Sequence, residues 1–177
     1  SFIKYKKITK YKRKKVIDGL ELTNELGELI GLTILYSSFS KRDKSIKWYL
    51  TAGNFKTFTT LLEKLFESVP VIVKKEIDND KFQVELINKN DLTDFFVKHF
   101  IVGNYKEMPE WLLSANDTFI YGLLKPILSR GKMQLNKRKS QYQFSIISKN
   151  KPLIHFLYEL VNLKYENDCI VYANNKN

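Results

Sequence analysis

An α+β fold, with helices laid on antiparallel strands, is the class the residue pattern predicts, on three observations. Five stretches carry apolar residues at helical spacing, and between them runs such as Lys81–Ile87 alternate apolar and polar residue by residue. Turn residues join strand-like runs into hairpins, Asp78-Asn79-Asp80 being the clearest. The order apolar helix, hairpin strands, amphipathic helix and further strands begins at Leu22 and again, shortened, at Asn116, as a diverged internal duplication would. With 177 residues, 44% hydrophobic and 14% aromatic, the chain suits one domain or two small joined halves, which excludes a disordered or fibrous protein.

Residues 22–35 are apolar on most sides (Leu22, Leu26, Leu29, Ile30, Leu32, Ile34, Leu35), with Thr23 or Asn24 as the cap. Gly27 and Gly31 stand four apart on one face of this helix. A helical glycine costs about 1 kcal/mol relative to alanine, and the usual compensation is close approach of another backbone. This helix is therefore expected at the centre, tight against a partner. Residues 46–52 alternate, with Ile46, Trp48, Leu50 and Ala52 opposite Lys47, Tyr49 and Thr51, the pattern of a half-buried antiparallel strand. Asn54 is the expected cap of a helix reaching residue 67, striped by Phe55, Phe58, Leu61, Leu62, Leu65 and Phe66 and stopped by Pro70.

Strands over 71–77 and 81–87 follow; in the second, Phe82, Val84 and Leu86 oppose Lys81, Gln83 and Glu85. Next come a helix starting after Asn90 and running to about residue 100 and a loop centred on Gly103. Pro109-Glu110-Trp111 reads as a short helical turn with proline in its first position. A second mostly apolar helix spans 116–128 (Phe119, Ile120, Leu123, Leu124, Ile127, Leu128). Residues 141–147 alternate, with Tyr142, Phe144 and Ile146 against Gln141, Gln143 and Ser145; a helix over 152–163 and a strand over 169–173 come after. Each half is expected to cover the apolar face of a sheet with helices and leave the polar face for a ligand.

The net charge of +11 comes from 30 Lys+Arg against 19 Asp+Glu. Lys4, Lys6, Lys7, Lys10, Lys12, Arg13, Lys14 and Lys15 all precede the first acid, Asp18, so residues 1–21 form a basic arm while the rest is nearly balanced. Tyr5 and Tyr11 interleave with these bases. Ammonium groups displace condensed counterions and rings stack on bases, so nucleic acid is the expected partner, a solvated tail being the plainer reading. The arm has few apolar residues to insert, which argues against a membrane surface. No apolar run nears the roughly 20 residues that span a bilayer, and no apolar signal core opens the sequence. A soluble intracellular protein is expected, its compartment open. The lone Cys169 excludes a disulfide scaffold and a multi-cysteine zinc site; His99 and His155 lack ligand-like spacing.

The segment Glu25-Leu26-Gly27-Glu28-Leu29-Ile30-Gly31-Leu32-Thr33-Ile34-Leu35-Tyr36-Ser37 resembles the first signature helix of the LAGLIDADG homing endonucleases. Met108-Pro109-Glu110-Trp111-Leu112-Leu113, followed by Phe119-Ile120-Tyr121-Gly122-Leu123-Leu124-Lys125-Pro126-Ile127-Leu128, is similar to the family's Pro-Glu-Trp lead-in and second signature helix. The likeness covers about residues 22–173. It implies a pseudo-twofold monomer of two αββαββα-type repeats, 22–107 and a shortened 108–177. Their signature helices would pack side by side, and their antiparallel sheets would form a saddle over the DNA major groove.

In nucleolytic members each signature helix ends in an acid, and the two carboxylates hold divalent metals that activate water and stabilise the leaving oxygen. Here the first acid's place falls on Tyr36 and the second on Gly131, or on Arg130 with a one-residue gap; Ser129 replaces the other familiar acid. Pro126 replaces the glycine of the helix contact, and proline inside a helix costs roughly 3 kcal/mol, so a kink or early end is expected. Arg130 and Lys132 would repel a metal and attract phosphate. The resemblance thus implies no catalytic residue, no metal and no cofactor. Mg²⁺ enters only if displaced acids such as Glu25, Glu28, Asp43 or Asp117 take over.

The expectation is a nucleic-acid-binding protein that does not cleave, with duplex DNA favoured over RNA. An RNA-binding intron maturase or splicing factor, and an active endonuclease using displaced acids, are the alternatives. Lys47, Tyr49, Thr51, Lys81, Gln83, Glu85, Gln141 and Gln143 lie on polar strand faces, where Lys and Gln can bond purine edges and Glu can accept from cytosine. Lys41, Arg42, Lys137, Arg138 and Lys139 in hairpin turns, Arg130 and Lys132, and Lys12, Arg13, Lys14 and Lys15 of the arm are the candidate phosphate contacts. An ordinary solvated surface accounts for the same residues one by one.

Overall fold

The computed structural model describes residues 13–87, 90–138 and 141–164, so the arm through Lys12, Lys139 and the strand expected over 169–173 lie outside the described residues. A hairpin of β1 (Val16–Ile17) and β2 (Leu20–Glu21) turns through Asp18 and Gly19, both at positive φ, and enters α1 (Asn24–Tyr36). Thr23 caps that helix, its hydroxyl accepting from Leu26 N at 3.1 Å. Then follow β3 (Ser37–Ser40), β4 (Ser45–Thr51), α2 (Ala52–Leu65), β5 (Val71–Asp78), β6 (Lys81–Ile87) and α3 (Asp91–Phe100). A small hairpin, β7 (Ile101–Val102) and β8 (Tyr105–Lys106), and a 3-10 turn at Glu110–Ser114 lead to α4 (Asp117–Ser129). The order continues with β9 (Lys132–Asn136), β10 (Gln141–Ser145) and α5 (Lys151–Lys164).

Local chemistry moves two of the expected boundaries. Thr51, not Asn54, caps α2: its hydroxyl accepts from Asn54 N at 3.3 Å, so Ala52 opens the helix instead of ending the strand. Pro109 takes the cap position of the 3-10 turn, one place before the first helical residue. Asn90 and Asn116 cap α3 and α4, each side chain accepting from the backbone N–H three residues on, at 2.8 and 2.9 Å.

Helices α1 and α4 lie against each other at the centre, and three glycines make that possible. A Cβ on Gly27 would come within 2.8 Å of Leu123 N, one on Gly31 within 2.6 Å of the Leu123 carbonyl oxygen, and one on Gly122 within 2.8 Å of the Asn24 carbonyl carbon. Only residues without a Cβ tolerate such backbone contact. Pro126 does not end α4, which runs on to Ser129. Its ring fills the space over Gly31, where an added Cβ would lie 2.6 Å from Pro126 Cγ, and this packing offsets the missing N–H.

The main sheet has the antiparallel order β3-β4-β6-β5. Ile46, Trp48, Leu50 and Val84 are buried on its inner face, against α1 and α2. The Trp48 indole N–H donates to Thr33 Oγ1 at 3.1 Å, and that hydroxyl donates to the Leu29 carbonyl at 2.7 Å, so the buried polar atoms of α1 are satisfied. Trp111 plays the matching part beside α4. The rings of Phe95, Phe100 and Phe119 lie about 6 Å from it. Its N–H donates to His99 Nδ1 at 3.2 Å, which leaves the His99 proton on Nε2, 2.6 Å from Asp18. Lys98 adds an ion pair to Asp18 at 2.7 Å, so the β1–β2 turn is tied to α3.

The second sheet differs from expectation. It is the two-stranded ribbon β9–β10, with strand β10 stopping at Ser145, and among the described residues no helix covers its apolar face. Met133 is 68% exposed, Leu135 51%, Tyr142 73% and Phe144 45%. Alternation creates two chemically distinct faces, but a layer covers one of them only if the chain places it there. No helix among the described residues is long and apolar enough to cross a membrane.

Candidate nucleic-acid interface

Strand register gathers one set of predicted readers on a single surface. Lys47 stands beside Glu85, Tyr49 beside Gln83 and Thr51 beside Lys81, all on the face of the main sheet opposite Trp48 and Val84. Lys75 of β5 joins this face next to Gln83. The face is not a row of independent side chains. Lys47 Nζ lies 3.3 Å from Glu85 Oε1, and Gln83 Nε2 donates to the same oxygen at 3.1 Å. Glu85 therefore holds a lysine and an amide in position, and is itself partly neutralised toward a polyanion. Thr51 is a correction, since its hydroxyl is committed to capping α2. Toward the β5 edge the surface turns apolar, with Val71, Val73 and Ile87 exposed.

The ribbon forms a separate sheet. Lys132 and Gln143 lie exposed on its polar face, and Lys137 and Arg138 in its turn. The backbone of Gln141 pairs with Asn136, while its side chain and all of Lys139 lie outside the described residues. Lys41 and Arg42 are exposed in the β3–β4 turn. Of the arm, Lys14 and Lys15 are exposed and Lys12 lies outside the described residues. Arg13 pairs with Asp117 at the start of α4, and Lys14 exchanges backbone hydrogen bonds with Ser114 and Asn116. The root of the arm is thereby stitched to the beginning of the second central helix.

The shared end of the two central helices carries positive charge. Lys106, which sequence reasoning passed over, sends its ammonium to the end of α1, donating to the Ile34 carbonyl at 2.9 Å and to the carbonyl of Ser37, with Thr33 O at 3.4 Å. The last carbonyls of a helix have no intrahelical partner, and a cation there is stabilised by the helix dipole. Burial pushes the Lys106 ammonium down to about 8, so it is still charged at neutral pH. Arg130 ends α4, its guanidinium 5.7 Å from the centre of the Tyr36 ring. Gly131 lies under the Phe144 ring, where an added Cβ would be 2.6 Å from Phe144 Cε2. Of the places where the resemblance implies carboxylates, Tyr36 and Arg130 thus form a cation over a phenol ring, and Gly131, the other reading of the second place, has no side chain to offer.

Three of the four candidate acids are engaged elsewhere. Glu28 pairs with Lys125 of α4 at 3.4 Å, Asp43 accepts from Ser40 Oγ at 2.9 Å, and Asp117 pairs with Arg13. Asp18 is held below the ordinary carboxylate value by Lys98 first and His99 second. His155, read as a partly buried packing residue, is exposed, because the buried stripe of α5 runs through Leu153, Phe156 and Leu160. Among the described residues no group of three His, Cys, Asp or Glu side chains converges. A hard divalent cation needs several oxygen ligands, and an end furnished by Lys106, Arg130 and Tyr36 does not fit one. No family model matches the chain, and no curated protein matches it in sequence.

Proposed function

We propose that this protein binds nucleic acid, duplex DNA foremost, through the outer face of its main sheet, and neither needs a metal nor cleaves what it holds. The observation that carries this reading is the cationic end of the central helix pair: Lys106 seated on the α1 carbonyls and Arg130 over Tyr36. Phosphodiester oxygens suit such an end, whereas hydrolysis through two metals requires carboxylates there. The glycine-lined crossing of α1 and α4 and the order α1-β3-β4-α2-β5-β6-α3 support the LAGLIDADG-like reading, in which α4-β9-β10-α5 begins a second repeat. Lys47, Tyr49, Lys81 and Gln83 are then the base-facing set, and Lys41, Arg42, Lys137 and Arg138 the phosphate set.

Electrophoretic retardation of a random-sequence duplex over a salt series tests the reading. Affinity should fall steeply with salt, because each neutralised phosphate contributes a slope of about −0.9 in log K against log salt. The double variant Lys41→Ala/Arg42→Ala should flatten that slope by about two contacts. A salt-independent affinity, or none at all, would contradict it.

A further inference from the structure

We infer that the open cleft of about 850 Å³ bounded by β8, the ends of α1 and α4 and the start of α5 receives a single unstacked nucleotide. Three kinds of chemistry meet there. Tyr105 lines the cleft and is 76% exposed, so its ring is available as a stacking platform. Stacking on an aromatic face makes no demand on base identity. Arg130 at the end of α4 and Lys149 and Lys151 at the start of α5 reach the same cleft, against one carboxylate, Glu107. Lys106 adds charge, while its hydrogen bonds belong to α1. Asn150 supplies a polar edge: its side-chain oxygen already accepts from Leu153 N at 3.1 Å, which leaves its amide hydrogens for a base.

The size of the cleft fits this chemistry. Small-ligand sites run to about 300–1,000 Å³, room for one nucleotide and not for a paired helix. A duplex keeps its bases stacked inside, so a strand can offer such a group only where a nucleotide is bulged, flipped or single-stranded. The inference rests on the nucleic-acid reading above and narrows its substrate to strands carrying an unpaired nucleotide. A free nucleoside monophosphate presents the same ring and phosphate.

The 177-residue chain can be titrated against three fluorescent probes: a duplex with one bulged 2-aminopurine, the same duplex with that base paired, and 2-aminopurine riboside 5′-monophosphate. The bulged probe should bind about tenfold more tightly than the paired one, within the range of a single base–aromatic stack, with its emission quenched. Tyr105→Ala should abolish the preference and the quenching, and Lys149→Gln should weaken the preference while keeping the quench. Equal binding of bulged and paired duplexes, without quenching of the monophosphate, would overturn the cleft and leave the sheet-face reading standing. Quenching of the monophosphate with no affinity for either duplex would do the reverse. If the monophosphate is quenched, duplexes bind without preference and Tyr105→Ala removes the quench, the nucleotide site stands and its occupant is the free species.

Discussion

The main sheet and the β9–β10 ribbon are built from strands that alternate equally well, and they end in opposite situations. In the sheet, Ile46, Trp48, Leu50 and Val84 are sealed beneath α1 and α2, and one face is left to solvent. In the ribbon, Met133, Leu135, Tyr142 and Phe144 make an apolar face just as regular that stays exposed. Two-stranded hairpins are marginal by themselves, whereas four strands with a packed face are not. The difference shows that a binary pattern declares which face is apolar but not whether anything reaches it. Stability therefore resides in the α1–α4 crossing and the sheet beneath it, and the ribbon is free to act as surface.

The sharpest way to break this comparison is to truncate one aromatic from each sheet. Trp48→Ala should cost about 3–5 kcal/mol in chemical denaturation, since it empties a buried site and removes the indole donor to Thr33 Oγ1. Tyr142→Ala should cost less than about 0.5 kcal/mol. Comparable losses would mean that the ribbon is covered after all. Next in size is the helix crossing. Gly122→Ala forces a Cβ into the Asn24 carbonyl and should cost about 1–3 kcal/mol. Gly53→Ala, at an open position in α2, should instead stabilise by about 0.4–1 kcal/mol. The smallest effect belongs to the outer face, where removing Lys47 from its half-exposed pair with Glu85 should change stability by less than about 1 kcal/mol and show itself in nucleic-acid affinity.

Lys106 gives the comparison a pH dependence. Its folded value of about 8 lies below the ordinary 10.5, so between those values the unfolded chain binds the additional proton. Its contribution to stability therefore rises with pH across that window and is level below it. Lys106→Met should flatten that rise when the melting temperature is followed from pH 7 to 10. Affinity for DNA should decline over the same interval as the ammonium loses its charge, earlier than exposed lysines would cause.

What the sequence discloses and what it withholds divide along the range of the forces involved. Gly27 and Gly31 point to a close helix partner because their spacing is local, and Asn90 and Asn116 stand one residue before the helices they cap. Thr51 and Asn54 compete for one cap, and only the backbone shows that Thr51 has it. A local rule misjudges Pro126 because its ring gains a contact with Gly31, nearly a hundred residues away in sequence. Periodicity finds the face shared by Lys47, Gln83 and Glu85, but not the Lys47–Glu85 ion pair, since that crosses strands. Lys106 bonds carbonyls 69, 72 and 73 residues distant, and no pattern within its own two-residue strand announces them.

The central claim is that the helix ends hold a polyanion by cations of the protein itself and not through a bound metal. Duplex affinity measured side by side in excess EDTA and in Mg²⁺ at constant ionic strength, with the recovered DNA sized afterwards, tests it most directly. Equal dissociation constants and intact DNA are the predicted result; binding that requires Mg²⁺, or DNA cut in its presence, would contradict it.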